Sequence, residues 1–346
     1  MKYFALAMPG VGSILAREIS QTPELSPSDD ACYDGRNDVI PFSAERAVRD
    51  PFTFRSSEDV YVEVAVTRRV TELPTLVRDL TDDTALERAL SVFAHQVQPL
   101  RAQMRYRVIT RVLSESHFRR TNLREALSAQ IGSQRPRWKL ADPAEIELWV
   151  LETKPGQFRS GLRLTDSSMR HRESRKVERD GALRPSVAGA MLVLANPATG
   201  ALLLDPFCGS GTILREALDY GARAAGFDVD PAAVAAAKTN VAQAAIAQAD
   251  ARHMPFPDAA SDAIVTNLPF GGKYRVSEPL PRWFSDVLSE LTRVTRKGGS
   301  IVLLVPPSQA FTRALAKNAT LRLVQQFPLR LLGFSTAMWH FTRSES

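Results

Sequence analysis

The second half of this 346-residue chain is predicted to be an α/β domain on a parallel sheet, preceded by a less regular half of mixed strands and helices. Three observations predict it. After Gly181, strand-like and helix-like segments alternate, the pattern of a parallel sheet with crossover helices. The run Leu202-Leu203-Leu204-Asp205-Pro206-Phe207-Cys208-Gly209-Ser210-Gly211-Thr212 is an apolar strand that ends in an acid and a glycine turn opening a helix. Asp228 closes the next strand 19 residues after Gly209, near the ~20-residue spacing at which an acid reaches ribose hydroxyls.

From the N-terminus, residues 1–69 offer strands at Tyr3–Met8 and Val60–Val66 around a polar stretch rich in Asp, Ser and Pro that reads as loop. The apolar run Tyr3–Ala16 imitates a signal peptide, but Pro9, Gly10 and Gly12 interrupt it and Arg17-Glu18 follow, so a strand, a turn and a helix start are expected. Next come helices at Glu72–Leu80 and Leu86–Phe93, an alternating strand at Tyr106–Leu113, a helix at Asn122–Gln130 and a strand at Glu145–Glu152. Thr165–Asp180 is polar and crowded with Arg, the composition of a linker or exposed arm.

Beyond Gly181 the strands are Ala201–Asp205, Ala224–Val229, Ala245–Asp250, Ala263–Asn267 and Ser300–Pro306. The helices between them are Thr212–Tyr220, Pro231–Gln243 with Pro in its first turn, and Leu280–Arg296 ending at Gly298-Gly299. Arg322–Pro328 and Ser335–Thr342 are too closely linked for a parallel crossover and predict an antiparallel hairpin.

Composition narrows the function. With 44% apolar and 24% charged side chains the chain can bury large cores, and no apolar run approaches the ~20 residues that span a bilayer. Cys32 and Cys208 cannot build a disulfide framework or a four-ligand zinc site, and the five His lack HExxH spacing, so no structural metal and a reducing cytoplasm are expected. The net charge of +6 hides an asymmetry: residues 1–100 have net charge −6, whereas residues 101–139 have +8. Clustered cations are the footprint of a polyanion binder, although 36 Arg against 8 Lys also fits a solvated surface coloured by codon usage.

The glycine turn after Asp205 lets backbone N–H groups and the positive helix end face a ligand. Dinucleotide binding is disfavoured because Leu214 stands where the third glycine of that fingerprint would be, and no GxxxxGK[ST] loop supports nucleotide triphosphate binding. A second motif, Asn267-Leu268-Pro269-Phe270-Gly271-Gly272, follows the fourth strand, at the sheet edge where open α/β sheets place ligands. There the Asn267 amide oxygen and Leu268 carbonyl can accept hydrogen bonds from an exocyclic amine, Pro269 stiffens the turn and Phe270 offers a stacking face for a flipped base.

These two motifs together resemble the class I (Rossmann-like) S-adenosylmethionine-dependent methyltransferases that act on amino groups. The first half, from Tyr3-Phe4-Ala5 and Pro9-Gly10 through the basic segment, resembles the THUMP-containing RNA guanine-N2 methyltransferases. The resemblance implies an α+β ferredoxin-like piece (residues 1–69), a THUMP RNA-binding domain (70–164), a linker (165–180) and a methyltransferase domain with a seven-stranded sheet (181–346). It implies that Asp205, Gly209, Gly211 and Thr212 belong to the loop for the methionine part of S-adenosyl-L-methionine. Asp228 matches the ribose ligand, Val229 the adenine-packing position, and Asp250 with Ala251 the surroundings of the adenine amine. Asn267, Leu268, Pro269 and Phe270 match the target-base motif, with Leu268 replacing the commoner Pro; N-L-P-F resembles the branch that makes N2-methylguanosine in the tRNA acceptor stem.

The implied chemistry rests on orientation: two acceptors on a guanine amine localise its lone pair and aim it at the methyl, and no strong general base is assigned. RNA contacts are expected from Arg119, Arg120, Arg124, Arg137, Lys139, Arg170 and Arg172, with Arg175 and Lys176 beside the last two. Trp138 divides equally between stacking on RNA and core packing. Cys208 is expected to be a small turn residue rather than a covalent nucleophile, His171 and His253 have no catalytic partner, and Leu183–Ser186 resembles the family's cover over the cofactor. Alternatives are a 23S rRNA guanine-N2 or adenine-N6 methyltransferase and an RNA-binding protein without catalysis. A monomer, with tRNA as partner, is favoured.

Overall fold

The computed structural model describes residues 1–45, 50, 53–68, 70, 72–113, 118–166, 169, 176–179, 181–269, 279–331 and 333–345. The chain divides into two compact units, Met1–Arg170 and His171–Ser346. The division falls inside the stretch expected to be a linker.

The first unit runs β1 (Lys2–Ala7), α1 (Gly12–Gln21), β2 (Leu25–Pro27), β3 (Cys32–Tyr33), β4 (Asp38–Ala44), β5 (Asp59–Val66), α2 (Leu73–Leu80), α3 (Asp83–Gln96), β6 (Arg105–Arg111), α4 (Arg120–Gln134), β7 (Lys139–Leu140), β8 (Ile146–Lys154) and β9 (Gln157–Arg163). One sheet passes through it in the order β2-β4-β1-β5-β9-β8-β6-β7, with β3 on β4. The expected 69/70 boundary crosses that sheet, because β5 before it pairs antiparallel with β9 after it. Phe4 and Tyr61 on adjacent strands stack at 4.7 Å, both fully buried. Each such ring contributes on the order of 1.5–3 kcal/mol by leaving water. The segment 9–59, expected to be mostly loop, contains β4, whose Val39, Ile40 and Phe42 are buried against β1.

The second unit runs α5 (Pro185–Ala195), β10 (Leu202–Asp205), α6 (Thr212–Asp219), β11 (Arg223–Asp228), α7 (Pro231–Asn240), β12 (Ala245–Gln248), β13 (Ser261–Asn267), α8 (Leu280–Val294), β14 (Thr295–Val305), α9 (Gln309–Lys317), β15 (Leu321–Leu331) and β16 (Phe334–Arg343). Its sheet has seven strands in the order β12-β11-β10-β13-β14-β16-β15. The first five are parallel, and β16 runs antiparallel to β14 and to β15, the hairpin expected from their short link. From β10 the chain winds outward to β12, returns to the other side of β10 as β13 and winds on. The strand order therefore reverses between β10 and β13, which opens a crevice at their carboxyl ends.

Packing brings α6 close to β11. A Cβ on Gly226 would meet Leu214 Cδ1 at 2.4 Å, so the strand glycine makes the room that the Leu214 side chain fills. The core on the α8 and α9 side is apolar and aromatic, with Trp283, Phe284, Phe311 and Trp339 in edge-to-face series at 5.2–5.4 Å between ring centroids. Among the described residues no helix is long and apolar enough to cross a membrane.

Candidate active site

β10, β11 and β13 end side by side and deliver three polar side chains to one edge: Asp205, Asp228 and Asn267. Asp205 is buried. Its Oδ1 accepts the Thr266 hydroxyl at 2.7 Å and the Phe207 N–H at 3.2 Å, whereas its Oδ2 is buried without a partner among the described residues. Burial pushes the Asp205 carboxyl up to about 7; the Thr266 and Phe207 donors oppose this, and the negative Asp228 adds to it. A buried carboxyl with one unsatisfied oxygen is matched by a cationic or donating ligand group.

After Asp205 the chain turns through Gly209, in the left-handed region at φ +52°, where a Cβ would meet nothing within 4 Å. That open space lies in the loop leading to the N-terminus of α6, which starts at Thr212 after Gly211. Ser210 Oγ, in the same loop, is a second buried oxygen without a partner among the described residues. Asp228 Oδ2 accepts the Gly209 N–H and Oδ1 the Asp230 N–H, both at 3.0 Å, so the carboxylate is aimed by the two turns it joins. It is half-buried, and the following Val229 is exposed beside it. Open space in the glycine loop, two oxygens without a partner among the described residues and an oriented carboxylate thus gather at one end of the sheet, a setting for donating and hydroxyl groups of a ligand.

Asp250 follows β12. Its carboxylate is engaged by the Arg252 side chain at 2.6–3.1 Å and by the Arg252 N–H at 2.9 Å, and these bonds hold it below the usual carboxylate range. A ligand amine at Asp250 would therefore share those oxygens with a guanidinium. Ala251 is buried next to it.

Asn267 is the last residue of β13, in register with Leu304, and its Oδ1 is buried without a partner among the described residues. Leu268 is fully buried and its N–H donates to the Leu304 carbonyl at 3.1 Å, which anchors the turn to β14. Pro269 is half-buried. Phe270, Gly271 and Gly272 lie outside the described residues.

Two contributors were not anticipated. Thr266 joins β13 to Asp205, and asking what satisfies a buried acid at the end of β10 is the only signal that points to it. Asn240, the last residue of α7, is saturated: Oδ1 accepts the Lys176 and Val177 N–H groups, and Nδ2 donates to the Val177 and Ser210 carbonyls, all at 2.9 Å. It ties the end of the linker to the glycine loop. Cys208 is buried there, and burial beside Asp205 and Asp228 pushes its thiol up, which keeps it neutral and unreactive.

In the first unit, Arg119, Arg120, Arg124, Arg137 and Lys139 are exposed. The other five cations of the basic segment form ion pairs: Arg101 and Arg105 with Glu145, Arg107 with Asp142 and Glu147, Arg111 with Asp34, Arg135 with Asp83 and Glu87. At least half of the segment's ten cations thus serve the unit's own structure. Trp138 is half-buried, 6.2 Å from Tyr106 and under the Arg135 guanidinium. Arg170, Arg172, Arg175 and His171 lie outside the described residues.

The strand order with its antiparallel last hairpin, and the polar edge at the reversal point, define a Rossmann-like α/β domain. Residues 172–333 match the family described as RMKL-like, methyltransferase domain (UPF0020). Among curated proteins the chain is similar to the bovine (Bos taurus) U6 snRNA (guanine-N(2))-methyltransferase THUMPD2, 36% identical over 131 residues, 36% of this chain and 25% of the relative. It is also similar to a Thermus thermophilus tRNA (guanine(6)-N2)-methyltransferase, 33% identical over 172 residues, 47% of this chain and 50% of the relative. The chain thus spans between a quarter and a half of these two relatives. The crystal structure of TrmN from Thermus thermophilus has the same fold, with a TM-score of 0.78, 22% identity and 99% of both chains covered.

Proposed function

We propose that this protein transfers a methyl group from S-adenosyl-L-methionine to the exocyclic N2 amine of a guanosine in RNA, with the tRNA acceptor stem as the favoured target. The observation that carries it is Asn267 Oδ1: a buried acceptor without a partner among the described residues, on the strand across the reversal point from Asp205. An unpaired buried acceptor costs roughly 1–3 kcal/mol, and a target amine recovers it. Similarity to relatives named as guanine-N2 methyltransferases of tRNA and U6 snRNA supports the choice of amine.

The bound cofactor supplies an electrophilic methyl on a sulfonium. In this reading Asp205 Oδ2, Ser210 and the Gly209–Thr212 turn hold its methionine part. Asp228 takes the ribose, and Val229, Asp250 and Ala251 border the adenine. Asn267 Oδ1 and the Leu268 carbonyl accept the two amine hydrogens and aim the nitrogen lone pair at the methyl, Pro269 keeps the turn stiff, and Phe270 stacks on the base. No side chain is asked to remove a proton before transfer; the nitrogen becomes acidic once methylated and releases it to water. Residues 1–69 and 70–164 are proposed as ferredoxin-like and THUMP parts, with Arg119, Arg120, Arg124, Arg137, Lys139, Arg170 and Arg172 on the RNA phosphates, in the cytoplasm.

The test is nucleoside mass spectrometry of bulk tRNA and rRNA after incubation with the protein and labelled cofactor. Labelled N2-methylguanosine in tRNA is expected, and Asn267→Ala should remove it while both ligands still bind. Label confined to adenosine, or to rRNA, overturns the proposed target.

A further inference from the structure

Resting on the methyl-transfer reading above, we propose that Thr266 is a positioning residue: its hydroxyl fixes the aim of Asp205 and locks the cofactor loop to the strand end that carries Asn267, so that cofactor affinity depends on pH through this pair. The geometry is specific. Thr266 is fully buried and donates to Asp205 Oδ1 at 2.7 Å, and the Phe207 N–H takes the same oxygen, so Oδ2 is the oxygen left for a ligand. Thr266 directly precedes Asn267, and both are held in parallel register with β14, at Leu303 and Leu304. One hydroxyl therefore connects the carboxylate on the cofactor side to the acceptor on the target side, across the point where the strand order reverses.

The hydroxyl has an electrostatic role as well. Asp205 is buried near a second carboxylate, Asp228, and both disfavour its charge; the Cys208 thiol between them stays neutral and gives no relief. Donation from Thr266 and from the Phe207 N–H opposes these effects. The Thr266 hydroxyl thus keeps Asp205 ionised at a pH where burial alone would protonate it. Protonated Asp205 holds a hydrogen on an oxygen that a cationic or donating ligand group needs, so binding requires that proton to leave to solvent.

The experiment measures S-adenosyl-L-methionine affinity by calorimetry for the full chain, Thr266→Val and Thr266→Ser between about pH 5.5 and 8.5. The ratio of variant to wild-type affinity cancels the cofactor's own titration. Loss of one hydrogen bond to a charged group corresponds to a shift of about one pH unit, so Thr266→Val should bind roughly fivefold more weakly near pH 7, approach roughly tenfold at the acid end and recover toward wild type at the alkaline end. Thr266→Ser, which keeps the hydroxyl, should stay within about twofold throughout. Turnover at saturating cofactor should change less than affinity does.

An affinity ratio for the Val variant that is flat with pH, or equal to one, overturns the proposal. If that variant does not fold, Thr266→Ala is compared in the same way: a ratio that widens on acidification supports the pair, and a flat ratio overturns it. Wild-type protein that takes up no cofactor at any pH overturns the methyl-transfer reading and this inference with it, an outcome distinct from a flat ratio.

Discussion

Asn240 Nδ2 donates to the Ser210 carbonyl at 2.9 Å, across 30 residues of sequence, while the same side chain takes both N–H groups of Lys176 and Val177. A single amide thereby holds the glycine loop and the end of the linker. Asn240→Ala leaves several backbone groups unsatisfied and should destabilise the protein by about 2–4 kcal/mol in denaturant titration. It should also weaken cofactor binding by roughly tenfold, about 1.4 kcal/mol of lost loop order. Asn240→Asp keeps the two accepted bonds but sets a carboxylate oxygen against the Val177 and Ser210 carbonyls, so it should be no milder than Asn240→Ala.

Asp228 bridges two turns with its two oxygens, which makes its replacement informative in two ways. Asp228→Ala should abolish detectable cofactor binding and leave RNA affinity within about twofold, because no phosphate-facing cation is removed. Unchanged titration heats would show that the ribose is held elsewhere.

Asp205 has a carboxyl pushed up to about 7 in the folded chain from an unfolded value of 3.8. The folded state therefore binds more protons than the unfolded state between those two values, and the stability of the ligand-free protein should decrease as pH rises through that window. Above it the buried charge is a fixed cost. Asp205→Asn should remove that pH dependence, raise ligand-free stability at pH 8 by about 1–3 kcal/mol, and abolish cofactor binding. Thermal melts at acid and alkaline pH, with and without S-adenosyl-L-methionine, check all three.

Arg119, Arg120 and Arg124 are exposed at the N-terminal end of α4. Replacing the three by Gln should weaken tRNA binding and reduce the slope of log affinity against log salt by about 2–3, one for each phosphate no longer neutralised. An unchanged slope would mean these arginines are only a solvated face. Fold stability should be little affected, since exposed substitutions typically cost under about 0.5 kcal/mol.

The catalytic unit was legible where local chemistry and tertiary role agree. The segments around β10, α6, β11 and α7 read correctly because apolar runs end in acids and helices open at Gly211 and Pro231. Helix α5 escaped because every residue from Pro185 to Ala195 is buried, so no polar face marks its period. Strand β9 escaped for the opposite reason: Arg159 sits inside, paired with Glu63, and Gly161 lies against Phe4, so a central strand has the composition of a loop. In the site, Asp205, Asp228 and Asn267 stood at strand ends and were found. Thr266 and Asn240 were not, because each matters through a partner far away in sequence, Asp205 for one and Ser210 and Val177 for the other.

The contact between Leu214 and Gly226 corrects how the glycine pattern is understood. Along the chain, Leu214 looks like a degraded fingerprint. In space, the small residue stands on the strand and the bulky one on the helix, so the two positions pack as one unit. A methyl at Gly226 would meet Leu214 first and Cys208 Cβ at 3.0 Å next, so room for it requires Leu214 to give way. A search for ligand sites that scores each glycine by itself will pass over folds that store their closest approach on the opposite element.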